Sequence, residues 1–138
     1  MTSYPVPPAR TLADLFRYRS SLQPNQLAYA SLRNNLDIEC QLTYGELEQA
    51  VCSLASYLAQ RARPGARVLL LYPSGIDVVS AFWACIYAGL VPVPAPPPDP
   101  VRRKHSLPRL HAIIEDAQAS MVLTTSGIKA ISSDLSIS

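Results

Sequence analysis

Two threonines, a serine, a glycine and a lysine gather in Thr124-Thr125-Ser126-Gly127-Ile128-Lys129, directly after a run that reads as a strand. Such a set at a helix N-terminus can hold a phosphate through backbone N–H groups and a cation. The spacing argues for a plainer role. One glycine is too few for a cradle, and Lys129 follows too closely to curl over a phosphate-sized loop, so a helix cap is expected. His105 and His111 have no Cys, Asp or Glu at ligand spacing, so no metal site is expected, and no nucleophile stands ready for either to activate. Arg102-Arg103-Lys104 could meet an anionic partner, although a solvated loop is the expectation.

Cys40, Cys52 and Cys85 form no C-x-x-C pair, and each sits among apolar neighbours. They are expected to be buried, reduced thiols of a cytosolic protein. The proline run offers two Pro-x-x-Pro spacings, Pro94 to Pro97 and Pro97 to Pro100, of the kind an SH3-type domain reads. A rigid extended connector is the alternative, and the better expectation. No G-x-G-x-x-G or G-x-x-x-x-G-K-[ST] occurs. The apolar run 68–72 ends in Pro73-Ser74-Gly75, with no acidic residue there to hold a metal ion. Residue types and spacing therefore assign no catalytic, cofactor-binding or metal-binding residue.

The elements that would position these residues are easier to read. Thr11 with Asp14 is a variant capping box, and Leu12, Leu15, Phe16 and Leu22 fall on one helical face before Gln23-Pro24-Asn25 ends the helix. Residues 27–32 read as a strand and Asn34-Asn35 as a turn. Leu36, Ile38, Cys40 and Leu42 alternate with polar residues, which predicts a half-buried strand and an antiparallel hairpin. Thr43-Tyr44-Gly45-Glu46 is a full capping box. The helix behind it carries Leu47, Val51, Leu54 and Leu58 on one stripe, has Arg61 and Arg63 near its last turn, and closes at Pro64-Gly65.

The continuous apolar run 68–72 predicts a strand covered on both faces, as in a parallel sheet. The next helix, with Val78, Val79, Phe82, Trp83, Ile86 and Tyr87, is apolar nearly all round and is expected to lie between layers, with Gly89 as its C-cap. A short strand at 90–93, an amphipathic helix marked by Leu107, Leu110, Ile113, Ile114 and Ala117, a strand at 121–124 and a helix beginning at 126 complete the pattern. Residues 131–138 have no helix partner in view and are expected to fray. Strands alternating with helices imply βαβ units, so the fold class is α/β: a hairpin followed by a mainly parallel sheet.

Composition sets the frame. The chain has 138 residues, 49% hydrophobic and 16% charged, with a net charge of +2. That suits one globular domain and argues against disorder and against nucleic acid as a partner. Residues 1–10 show no charged segment followed by an apolar stretch, so no signal peptide is expected. The longest apolar stretch, 76–94, is interrupted by Asp77, Ser80, Gly89 and Pro92, and no membrane span is expected.

An ordered set of segments resembles the start of the adenylate-forming superfamily of acyl-CoA synthetases, adenylation domains and luciferases. It comprises the helix at 11–22, Leu42-Thr43-Tyr44-Gly45-Glu46-Leu47, and Ala81-Phe82-Trp83-Ala84-Cys85-Ile86-Tyr87-Ala88-Gly89-Leu90-Val91-Pro92-Val93-Pro94. The prolines from Pro94 to Pro100, and Arg109-Leu110-His111-Ala112-Ile113-Ile114-Glu115-Asp116-Ala117-Gln118-Ala119 leading into Val122-Leu123-Thr124, resemble one branch of it, the fatty-acyl-AMP ligases. The resemblance runs from about Thr11 to Thr125.

The resemblance implies ATP and Mg²⁺ for the complete enzyme, formation of an acyl-adenylate from a fatty acid, and transfer to an acyl carrier protein at the start of a polyketide or lipopeptide assembly line. It implies an extension at 1–10 and a partial adenylation domain at 11–138 that stops before the phosphate-binding loop. It carries over no catalytic residue, because the family's phosphate loop, its Mg²⁺-serving acid, its ribose-binding Asp and the small C-terminal domain have no counterpart here. This chain alone is then expected to be inactive, cytoplasmic, and completed by the remainder of the adenylation domain, in the same or a separate chain. A non-catalytic interaction module, a decayed gene product, and a fragment of an acyl-CoA synthetase or an adenylation domain are the alternatives. A sheet lacking later strands is expected to expose an edge and an apolar face.

Overall fold

The computed structural model describes residues 8–131. Residues 1–7 of the expected extension and residues 132–138 of the expected fraying segment lie outside them. The chain opens with α1 (Leu12–Leu22), whose N-cap Thr11 accepts the Asp14 N–H at 3.1 Å. A hairpin of β1 (Leu27–Leu32) and β2 (Ile38–Thr43) follows, and then α2 (Tyr44–Ala59). The α2 capping box forms in full: Glu46 N–H donates to Thr43 Oγ1 at 3.2 Å and Thr43 N–H donates to Glu46 Oε2 at 2.9 Å. These bonds to the backbone and side chain of Thr43 hold the Glu46 carboxyl below its usual range.

β3 (Arg67–Leu71), α3 (Ile76–Tyr87), β4 (Val91–Ala95), α4 (Arg103–Ala117), β5 (Met121–Thr124) and α5 (Ser126–Ile131) complete the fold. The sheet order is β4-β3-β5, with both neighbours parallel to β3. Alternation along β3 assigns one layer to each face. Val68 and Leu70 pack with Ala55 and Leu58 of α2 and Ala81, Ala84 and Cys85 of α3. Leu69 and Leu71 pack with Leu110 of α4 and Ile128 of α5. The sheet is therefore doubly wound, which explains the unbroken apolar run in its central strand.

Two prolines seal one side of it. β4 is an edge strand, and Val91 N–H donates inward to Ala66 O at 2.9 Å. Alternation then turns the backbone of Pro92 and Pro94 outward, where a missing N–H denies pairing to another strand. Among the described residues, the bare edge of this sheet is thus that of β5.

Several expectations need correction. The large side chains of α3 are only partly buried, and the fully buried positions are the small Ala81, Ala84 and Cys85. Small residues occupy the closest approach of α3 to α2 and the sheet. Gly89 (φ 71) stands just past the C-cap Ala88, where Leu90 N–H donates to Cys85 O and Gly89 N–H to Ile86 O. In α1 only Phe16 and Ser20 are buried, while Leu12 and Leu22 are exposed. Arg61 lies beyond the end of α2 but reaches back, donating to Tyr57 O at 3.2 Å with its guanidinium over the Tyr57 ring.

The hairpin departs furthest from expectation. Leu42 and Ala28 pack on the aromatic cluster, but Ile38 (59% exposed) and its cross-strand partner Leu32 (53%) are bare. Its turn places Leu36, not an asparagine, at φ 68, with the side chain 77% exposed. A left-handed leucine is strained and glycine is not. Leu36→Gly is expected to stabilise the chain by about 0.5–1 kcal/mol, read as a rise in the urea midpoint. A fall in the midpoint would show that Leu36 makes compensating contacts.

Candidate functional site

Parallel strands deliver their carboxyl ends to one edge. There β3 feeds Tyr72-Pro73-Ser74-Gly75, β4 feeds the proline segment, and β5 feeds Thr125. The chain leaves β3 toward one face and leaves β4 and β5 toward the other, which makes this edge a switch point where α/β sheets open a crevice. Two concavities lie along it. One, of about 440 Å³, is lined by Leu70, Tyr72, Pro73, Ser74 and the prolines at 94, 96 and 97, among others. The other, of about 260 Å³, runs between Pro96-Pro97 and α4, with Arg102, His105 and Arg109 on its wall and Leu110 and Ile113 in its floor.

The hydroxyl-rich segment is occupied by its own fold. Thr124 Oγ1 donates to Leu71 O at 2.7 Å, tying β5 to β3. Thr125 Oγ1 accepts the Ile128 N–H at 3.3 Å and caps α5. The cap reading holds for these residues. His105 and His111 lie exposed on α4, and among the described residues no group of three His, Cys, Asp or Glu side chains converges.

The basic run differs from its expectation as a loop. α4 begins at Arg103, four residues before the first apolar marker at Leu107, so Arg103, Lys104 and His105 form its first turn. Pro108 suggests a later start, yet it removes only the bond to the Lys104 carbonyl. Helical spacing from 102 through 105 and 109 to 113 could have revealed the shared groove wall. The proline segment is structural: Pro92 and Pro94 lie in β4 and Pro98 is buried. Val101 N–H donates to Asp99 Oδ1 at 2.8 Å and Asp99 N–H to Ser106 Oγ at 3.2 Å, pinning the segment to α4.

The thiols also need correction. Cys85 is buried, whereas Cys40 and Cys52 are exposed, and all three are free. Apolar neighbours in sequence do not bury a residue on the outer side of a helix, as Cys52 is, or within a largely exposed strand, as Cys40 is in β2. No helix among the described residues is long and apolar enough to cross a membrane.

Comparison with known proteins places this edge in context. Residues 16–137 match the family described as AMP-binding enzyme. Over 118 residues the chain is 46% identical to the medium-chain-fatty-acid–[acyl-carrier-protein] ligase JamA of Moorena producens, covering 86% of this chain and 20% of that protein. It is 31% identical over 119 residues to Disco-interacting protein 2 homolog A of Homo sapiens, covering 85% of this chain and 8% of that one. The fold superposes with a TM-score of 0.79 and 31% identity on the fatty acyl-adenylate ligase from L. pneumophila, a structure in complex with acyl adenylate and pyrophosphate. That match covers 90% of this chain and 21% of the other, so the chain spans about a fifth of the length of these ligases.

Proposed function

The chain belongs to the AMP-binding enzyme family, and from that premise we propose that it forms the N-terminal part of a fatty-acyl-AMP ligase. The complete enzyme joins a fatty acid carboxylate to the α-phosphate of ATP, releasing pyrophosphate. The thiol of an acyl carrier protein's phosphopantetheine then takes the acyl group and AMP leaves. The 46% identity to a fatty-acid–[acyl-carrier-protein] ligase is the observation that carries this reading. The ligase would act in the cytoplasm.

Within that enzyme this chain supplies scaffold. Its Thr124 and Thr125 hydroxyls are engaged within the fold. No catalytic step is therefore routed through them. In the complete ligase, cationic groups and a metal would meet the charge that builds on the phosphates.

The test starts from the polypeptide as its source cells make it. An intact mass several times that of these 138 residues, together with fatty-acid-dependent ATP–pyrophosphate exchange, is the expected result. Exchange that ignores fatty acids, or a native product of about this size without a completing partner, would overturn the reading. The chain by itself is expected to catalyse no exchange.

A further inference from the structure

The tip of the hairpin carries apolar side chains that its own fold does not use. Every residue from 32 to 41 is exposed. The polar ones engage one another. Arg33 N–H donates to Asp37 O at 2.9 Å, Asn35 Nδ2 donates to Asp37 Oδ2, and the Arg33 guanidinium pairs with Glu39 at 3.9 Å. Leu32, Leu36 and Ile38 belong to none of the buried clusters formed by the described residues. Leu36 is the sharpest case. Its N–H donates to Arg33 O at 2.8 Å, which closes a three-residue loop, and its backbone is left-handed at φ 68. Glycine is the usual residue at that place in such a loop. A leucine there brings backbone strain and an exposed apolar side chain together. Two strands alone also make a marginal sheet, and Ala28 and Leu42 anchor only the base of this one.

Strain and exposure at one residue are accounted for when a partner receives the side chain. Resting on the ligase reading above, we infer that Leu36 is a knob seated in an apolar hollow of the larger part of the ligase. These residues span about a fifth of such enzymes. Leu32 and Ile38, cross-strand partners beside the loop, widen the apolar contact. The recipient is uncharged, because the charges of the tip are already met within the hairpin. It belongs to the same polypeptide, because a tethered surface meets the tip at a high effective concentration that a separate protein or a second copy lacks.

The experiment places Leu36→Gly in two settings, the 138-residue chain and the full-length ligase. In the chain the change relieves strain, and the urea midpoint is expected to rise. In the full-length ligase it also removes the seated side chain, and the midpoint is expected to fall. A rise in both overturns the inference. So does a fall in both, which would place the contacts of Leu36 within the chain itself. Cys40, exposed in β2, gives a readout without any substitution. A thiol reagent is expected to modify it about tenfold or more slowly in the full-length ligase than in the chain. Equal rates overturn the inference, and protection that grows with protein concentration overturns it in favour of a second copy. Absence of fatty-acid-dependent exchange in the unaltered enzyme overturns the ligase reading alone, since the midpoints and the Cys40 rates are read without it.

Discussion

Phe16→Ala is expected to destabilise the fold by about 3–5 kcal/mol. Phe16 is 4% exposed and is the one large apolar side chain that α1 buries. Its ring stacks on Trp83 at 4.7 Å between centroids and meets Tyr87 at 5.5 Å and Tyr44 at 6.5 Å. Through these contacts one residue joins α1 to both α2 and α3. Such ring pairs contribute about 0.5–1.5 kcal/mol each beyond the apolar area they bury. Global stabilities are about 5–15 kcal/mol, so the truncation removes a large share. Trp83 is the sole tryptophan, and its fluorescence reports this contact directly during urea unfolding. Leu12→Ala, at an exposed position of the same helix, should cost well under half as much. A shift for Phe16→Ala no larger than that of Leu12→Ala would mean that α1 is held by its caps and not by the aromatic cluster.

Where local chemistry decides, the sequence was legible. Thr11 with Asp14, and Thr43 with Glu46, start their helices as their spacing predicts, because a cap bond needs only neighbours. The unbroken apolar run of β3 announces a strand covered on both faces, because a run this short that ends in Pro73-Ser74-Gly75 suits a central strand better than a helix. Where the outcome depends on what lies across from a residue, legibility ends. Alternation along β2 shows which face is apolar, yet Leu42 finds the aromatic cluster while Ile38 extends past it. Cys52 lies on the outward side of α2 although its neighbour Val51 is fully buried. The groove is the extreme case. Its wall comes from helical spacing that Pro108 disguises, and its opposite side comes from prolines brought over by the sheet.

The same distinction governs an alkaline titration. Cys85 lies in the layer between α2, α3 and the sheet, and burial pushes its thiol from the usual 9.0 up to about 11. Below pH 9 both native and unfolded chains hold that proton, so the full contribution is present. Between about pH 9 and 11 the unfolded chain releases it and the native chain does not, and stability must fall as pH rises. The loss is on the order of 2 kcal/mol. Tyr87 adds to it at higher pH. Desolvation, its hydrogen bond to Glu48 at 3.1 Å and the Glu48 charge raise its phenol, against the opposing pull of Arg17 over the ring. Urea midpoints across this range should fall for the unaltered chain and, for Cys85→Ala, stay level between about pH 9 and 10, with the fall above pH 10 coming from the raised phenols of Tyr87 and Tyr72. A slope below about pH 10 that survives Cys85→Ala would place its origin in other groups. Thiol reagents supply an independent check. Cys40 and Cys52 should react in the native state and Cys85 only when the chain opens, since the burial that raises its pKa also keeps the reagent out.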